Sequence, residues 1–252
     1  MSLRDSAGHH HMTTIPDAYP QVASRAEWLT ARRRLLARER EVTHLRDAVN
    51  AERRRLPMVK VDKDYTFDGP DGEVRLVDLL EGRSQLYVHH FMWVDAEDRG
   101  CPSCSASAEL SFTDGDRALL AGRGLTLVCV SRAPYASIAR YRDQQGWTFP
   151  WYSSRDGDFT YDFHATLDPA RAPVVYNYEP VDGDLRGDVP GASVFLRRGD
   201  DVFHTYSAYA RGLEHTSVGY PFLDMTPYGR QEEWEDSPDG WPRGRVAAGL
   251  PL

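Results

Sequence analysis

The chain has 252 residues, 41% hydrophobic and 27% charged, and its 30 Lys and Arg against 38 Asp and Glu leave a net charge of −8. A chain of this length buries roughly 70–75% of the surface its unfolded form exposes, so it has material for one large core or two small ones. No apolar run approaches the ~20 residues of a membrane helix, the first 24 residues lack the apolar stretch of a secretory signal, the acidic balance argues against nucleic acid, and 3 cysteines are too few for a disulfide scaffold, so the expectation is a soluble, cytoplasmic protein that engages neither membrane nor nucleic acid.

Residues 1–23 hold His9-His10-His11 beside Met12 and read as a disordered tail or tag remnant. From Ser24 the pattern turns helical. Ser24-Arg25-Ala26-Glu27 has the form of a capping box, Pro57 stops the helix, and residues 24–57 make an N-terminal helical extension. Trp28, Leu35, Val42, Val49 and Leu56 recur every seven residues, whereas the companion positions Ala31, Arg38, Leu45 and Glu52 are mixed. Two readings stand side by side. One is a helix packed on its own domain. The other is an arm through which residues 24–56 join two copies of the chain.

Val59-Lys60-Val61 and Tyr65-Thr66-Phe67 read as short strands, with a turn at Asp68-Gly69-Pro70-Asp71-Gly72. Residues 86–91 and 125–130 are continuous apolar, β-prone runs of the kind expected of parallel strands covered on both faces. A helix over about 103–121 lies between them, and a second over 134–146 follows. The order strand, helix, strand, helix predicts a right-handed crossover in a parallel or mixed sheet. Residues 147–152 are aromatic and read as half-buried. The stretch at about 155–190 is acidic and rich in Gly and Pro, and reads as an insertion. Residues 193–196 and 202–206 flank Gly199-Asp200 and predict an antiparallel hairpin. Residues 231–252 read as an irregular tail, leaving 58–230 as the main α/β domain.

The chemistry concentrates in Cys101-Pro102-Ser103-Cys104, which follows a predicted strand and opens a predicted helix. In that setting C-x-x-C reads as a thioredoxin-type redox motif. Side chains at i and i+3 share a helix face with Cβ atoms ~5–6 Å apart, and a disulfide needs ~3.5–4.5 Å, so a small adjustment of the first turn joins them. Pro102 suits the first helical position, where its missing N–H is no loss. Cys101 then sits at the cap. A free thiol of pKa ~8.5 is only ~3% ionised at neutral pH, and a helix dipole supplies ~0.3–1 kcal/mol, at most ~2. Direct bonds from the Cys104 thiol or first-turn amides must provide the rest. On this reading Cys101 attacks and Cys104 resolves. The competing readings are half of a zinc site, with His89 or His90 the nearest further ligand, and two idle thiols. Cys129, mid-strand, reads as a buried inert thiol.

Around the motif, His89 and His90 alternate across the sheet, and with Trp93 and Asp95 they are candidates for a polar pocket. Asp95, Glu97 and Asp98 are candidate proton shuttles for Cys104. Pro190 is a candidate cis proline facing the cysteines, with an ordinary turn proline as the competing reading. No metal ion and no organic cofactor is expected.

Longer stretches carry a resemblance. They include Tyr65-Thr66-Phe67-Asp68-Gly69-Pro70-Asp71-Gly72, Gly82-Arg83-Ser84-Gln85-Leu86, Gly100-Cys101-Pro102-Ser103-Cys104-Ser105, Val130-Ser131-Arg132-Ala133-Pro134 and Leu223-Asp224-Met225-Thr226-Pro227. From Trp28 to Glu233 the chain resembles the bacterial domain-of-unknown-function family 899, grouped with thioredoxin-like proteins. The resemblance implies a thioredoxin-like α/β fold, a mixed sheet flanked by helices. It also implies a dithiol–disulfide role on an unknown thiol or disulfide substrate. The chain departs from ordinary thioredoxins in placing Gly100 before Cys101 and Pro-Ser between the cysteines. A peroxiredoxin pattern, Pro-x-x-x-Thr-x-x-Cys, fits neither register: Val94 and Asp98 stand before Cys101, and Glu97 and Cys101 before Cys104. The alternatives are a non-catalytic metal- or ligand-binding module on the same scaffold, and a structural homodimer.

Overall fold

The computed structural model describes residues 18–181, 185–216 and 218–242. Helix α1 (Arg25–Arg53) opens on the expected capping box: Ser24 Oγ accepts the Glu27 N–H at 3.3 Å, and the Glu27 carboxylate accepts the Ser24 N–H at 2.9 Å. The helix ends three residues short of Leu56. Its last turn tightens ahead of Pro57, with the Arg55 and Leu56 N–H groups bonded to the Glu52 and Arg53 carbonyls. None of its 29 residues is buried. Near its C-terminal end the Arg53 guanidinium lies 4.7 Å from the Tyr206 ring centroid.

Strand β1 (Val59–Lys60) is followed by the hairpin of β2 (Thr66–Gly69) and β3 (Gly72–Arg75), whose tight bend places Gly72 at a φ of 106°. The first central strand is β4 (Gln85–His90). Beyond it, β5 (Trp93–Val94) and β6 (Arg99–Gly100) pair antiparallel, so a short hairpin separates β4 from the cysteines. The expected helix over 103–121 is two helices, α2 (Pro102–Ser111) and α3 (Asp114–Ala121). They separate because Phe112 buries its ring while Thr113 starts a new cap, its Oγ1 accepting the Asp116 N–H at 3.2 Å.

Strand β7 (Leu125–Ser131) and helix α4 (Tyr135–Gln145) complete the expected order, and Gly146, at a φ of 72°, closes α4. The aromatic stretch that follows forms β8 (Trp151–Ser153), and Trp151 is wholly buried rather than half-buried. The acidic segment is ordered around α5 (Phe159–Asp162), β9 (Thr166–Leu167), β10 (Val175–Tyr176), β11 (Glu179–Pro180) and β12 (Gly187–Asp188). It holds a small core of Leu167, Val174, Tyr176, Val189 and Tyr209. The expected hairpin is β13 (Gly191–Arg198) and β14 (Asp201–Tyr209), and α6 (Gly219–Asp224) lies near the end. From residue 231 to 242 the chain has no helix or strand. The His9–His11 tail, residues 182–184 of the acidic segment and residues 243–252 lie outside the described residues.

One sheet carries eight strands in the order β1-β14-β13-β4-β7-β8-β2-β3. Strands β4, β7 and β8 are parallel, and β13 pairs antiparallel with β4 and with β14. A parallel β-α-β unit beside an antiparallel hairpin, with helices on the faces, is the thioredoxin-like arrangement. Alternation along the central strands sorts their side chains. Val128 and Val130 join Leu86, Val88 and Phe195 in one core, while Leu127 and Cys129 join Phe91, Ala108, Ile138, Phe149 and Trp151 in the other, under α2 and α4. Each fully buried aliphatic or aromatic side chain contributes ~1.5–3 kcal/mol, so the end of β4 is held from both sides.

Candidate functional site

The site is built where β4 leaves the sheet. Phe91 N–H still bonds to the Val130 carbonyl at 2.8 Å, and after the β5–β6 hairpin the Cys101 N–H donates to the Met92 carbonyl at 3.0 Å. Gly100 is required by a close approach. A Cβ here would lie 2.7 Å from Tyr141 Cε1 and 2.8 Å from Phe91 Cε1. The absence of Trp before Cys101 thus has a packing cause.

Cys101 is the N-cap of α2 and Pro102 its first residue, as the sequence suggests. The Cys101 carbonyl accepts the Ser105 N–H and the Ser105 Oγ–H, each at 2.9 Å, and Ser105 Oγ lies 3.0 Å from the Tyr141 hydroxyl. Cys101 is half-exposed, with its Sγ 3.2 Å from Ser103 Oγ, while Cys104 is buried beside Ala108 and Phe112; both are free thiols. The hydrogen bond from the Cys104 thiol lowers Cys101 most. Burial opposes it, and the Ser103 hydroxyl and the Cys104 and Ser103 amides add to it, leaving Cys101 pulled down to about 5. Cys104 moves the other way. Its bond to Cys101 and its burial push it well above the ordinary thiol range. Cys129, opposite His89 on the neighbouring strand, is pushed up by burial alone.

The other expected members do not assemble into one pocket. His89 lies edge-on to Phe112 and Phe91, at centroid distances of 5.1 and 5.8 Å, and burial pulls its pKa down to about 4. His90 takes the opposite face, as strand alternation requires. Its ring lies tilted against Phe159, and its Nε2 is 2.9 Å from Ser193 Oγ, in a row that continues through Ser207 Oγ to the half-buried His204 Nε2. Burial first, then His89 and His204, pull it down to about 3. Asp95 is exposed in a turn. Asp98 is bound to Arg140 and Glu97 to Arg99, so neither acid turns toward Cys104. Trp93 is buried edge-on to Tyr141 and Trp151, as part of an aromatic floor that includes Phe91, Trp147 and Phe149. Pro190 is not cis; among the described residues no peptide bond is. It stands just before Gly191, which pairs with His90, and its carbonyl accepts the Tyr176 hydroxyl at 2.8 Å.

One further residue belongs to the site, and it carries no signal in the sequence, where it is one acid among many. Asp188 is buried. Its carboxylate accepts the Trp93 N–H at 3.1 Å and the Thr166 Oγ1–H at 2.7 Å, and burial raises its pKa. It fastens the acidic segment to the hairpin that delivers Cys101. The cavity it lines with His90 and Met92 is about 10 Å³, too small for a substrate. Among the described residues no group of three or more His, Cys, Asp or Glu is gathered to hold a metal ion, and no helix is long and apolar enough to cross a membrane.

Among solved structures, Xanthomonas campestris peroxiredoxin Q aligns at 17% identity over 60% of this chain and 84% of its own, with a TM-score of 0.43. The peroxidoxin BcpB of Mycobacterium tuberculosis aligns at 17% identity over 64% and 92%, with a TM-score of 0.40. A peroxiredoxin-like protein of Aquifex aeolicus aligns at 11% over 62% and 81%, with a TM-score of 0.40. At these similarities no activity is carried across. No curated protein matches the chain. The model of the family described as bacterial proteins of unknown function (DUF899) matches residues 17–245, nearly the whole chain, and the chain belongs to that family.

Proposed function

We propose that the protein exchanges thiols and disulfides through Cys101 and Cys104. The observation that supports this reading most is the opposed pull on two thiols three residues apart: the half-exposed one is lowered to about 5 and its buried neighbour is raised. A thiol at about 5 is almost wholly thiolate at neutral pH, and the thiolate is the nucleophile. The Cys101 thiolate attacks one sulfur of a substrate disulfide. That S–S bond breaks, and the second substrate sulfur leaves as a thiolate. Cys104 then gives up its proton and attacks Cys101 Sγ, which closes the Cys101–Cys104 disulfide and releases the substrate as a dithiol. Two electrons pass from the cysteine pair to the substrate.

The direction follows from the same pull. A stabilised Cys101 thiolate stabilises the reduced pair and makes the disulfide form the stronger oxidant, so the pair suits oxidation of a dithiol, the cycle running in reverse. Equilibration with glutathione tests this: the account expects a potential well above the ~−270 mV of thioredoxin. Trapping tests the roles. With insulin as the disulfide, Cys104→Ser accumulates a mixed disulfide and Cys101→Ser forms none. Unchanged exchange in Cys101→Ser overturns the proposal.

A further inference from the structure

We infer that α1 is a dimerisation arm that pairs with the same helix of a second copy, parallel and in register. The starting observation is an apolar row of α1 that lies open to solvent. None of its 29 residues is buried, and Trp28, Leu35, Val42, Leu45 and Val49 are between 43% and 65% exposed. Helices of globular proteins owe most of their stability to packing of an apolar face, and a stripe of large apolar side chains left in water marks an interface.

The spacing says what covers it. Trp28, Leu35, Val42 and Val49 recur every seven residues. A straight helix drifts ~20° per heptad from such a row, so the row stays on one face only when the helix supercoils around another helix. A flat domain surface has no use for that period.

The flanking charges say which helix. The residue before each of the first three seam positions is Glu27, Arg34 and Glu41; the residue four after each is Arg32, Glu39 and Arg46. In a parallel, in-register pair these two columns face each other one heptad apart. Glu27 then meets Arg32 of the second copy, Arg34 meets Glu39, and Glu41 meets Arg46. All three pairs are opposite in sign, and the twofold axis repeats each. The Arg32 guanidinium and the Glu39 carboxylate, seven residues apart, already lie 2.8 Å from each other along one ridge of α1, so the column exists in the folded helix.

The full chain tests this by sedimentation equilibrium and by cross-linking. The expected mass is twice that of the 28.5 kDa chain. The double variant Leu35→Glu, Val42→Glu is expected to be monomeric with an unchanged alkylation rate at Cys101, since both side chains are exposed and neither supports the body. Leu35→Cys, in a chain with Cys101→Ser and Cys104→Ser, is expected to form an interchain disulfide on mild oxidation, because like residues meet in a parallel pair. A monomer at the highest soluble concentration overturns the inference. So does a dimer that survives the Glu variants, which places the contact elsewhere, or a dimer in which Leu35→Cys fails to link, which makes the arms antiparallel or shifted.

Discussion

Helices α1 and α2 put the N-cap position to different ends. At Ser24 a hydroxyl oxygen takes the first free amide, and a Glu27 carboxylate closes the box, so the donors of the first turn go toward holding the helix. At Cys101 the same slot is occupied by sulfur. There the Ser103 and Cys104 amides, with the Cys104 thiol, lower the pKa of a nucleophile. Behind the first turn the two part company again. Helix α2 rests through Cys104 and Ala108 on a floor of Phe91, Phe112, Phe149 and Trp151, whereas α1 buries nothing. A cap fixes where a helix begins. What lies under it decides whether the end serves as a rigid chemical site or the shaft as a free surface.

The largest test of that contrast is a truncation on each side. Trp151→Ala, in the floor below the motif, is expected to cost about 3–5 kcal/mol, while Arg40→Ala, midway along α1, stays within about 0.5 kcal/mol. Urea midpoints measure both. Equal losses would dissolve the distinction between the two helices.

The close approach at the motif is the next place to press. Gly100→Ala pushes a methyl between Tyr141 and Phe91 and is expected to lower stability by about 1–3 kcal/mol. The Cys101 pKa should rise with it, because the hairpin that sets the cap must shift. Alkylation rate against pH reads the second effect separately from the first. A variant as stable as the parent, with Cys101 unmoved, would show that the rings can give way.

The third test is smaller and depends on pH. His89 and His90 are held neutral, at about 4 and about 3, against ~6.5 in an unfolded chain. Below ~6.5 the unfolded state therefore binds more protons than the folded one, and stability falls as the pH drops toward the folded values. The contribution is fully present above ~6.5 and lost as the pH passes down through the folded pKa values. His89→Phe, placed among Phe91 and Phe112, is expected to flatten part of the decline in a series of urea midpoints. A parent whose stability is level from neutral pH into the acid range would contradict the burial of both rings.

Much of this was legible in the sequence, and the rest was hidden for physical reasons. The capping box, the seven-residue row and the Cys-x-x-Cys spacing are local patterns, and local patterns survive folding. The two central strands announced themselves by continuous apolar runs. The break at Phe112 has a signal in Thr113-Asp114-Gly115-Asp116, which the single helix expected over 103–121 passes over. Strands β5 and β6 are two residues each, too short to show any period. Strand alternation correctly put His89 and His90 on opposite faces. It could not show that both would be sealed beside aromatic rings. Asp188 differs from its acidic neighbours only in what folds over it, so no reading of the chain alone singles it out.

The titration of Cys101 in the wild-type chain, followed by thiolate absorbance and compared with Cys104→Ala, addresses the central claim most directly. The account predicts a transition at about 5 that climbs toward the ordinary thiol value when the Cys104 thiol is removed. A wild-type transition already at ~8.5, unmoved by Cys104→Ala, would mean that the two sulfurs do not act on each other and that the proposed exchange chemistry has no activated nucleophile.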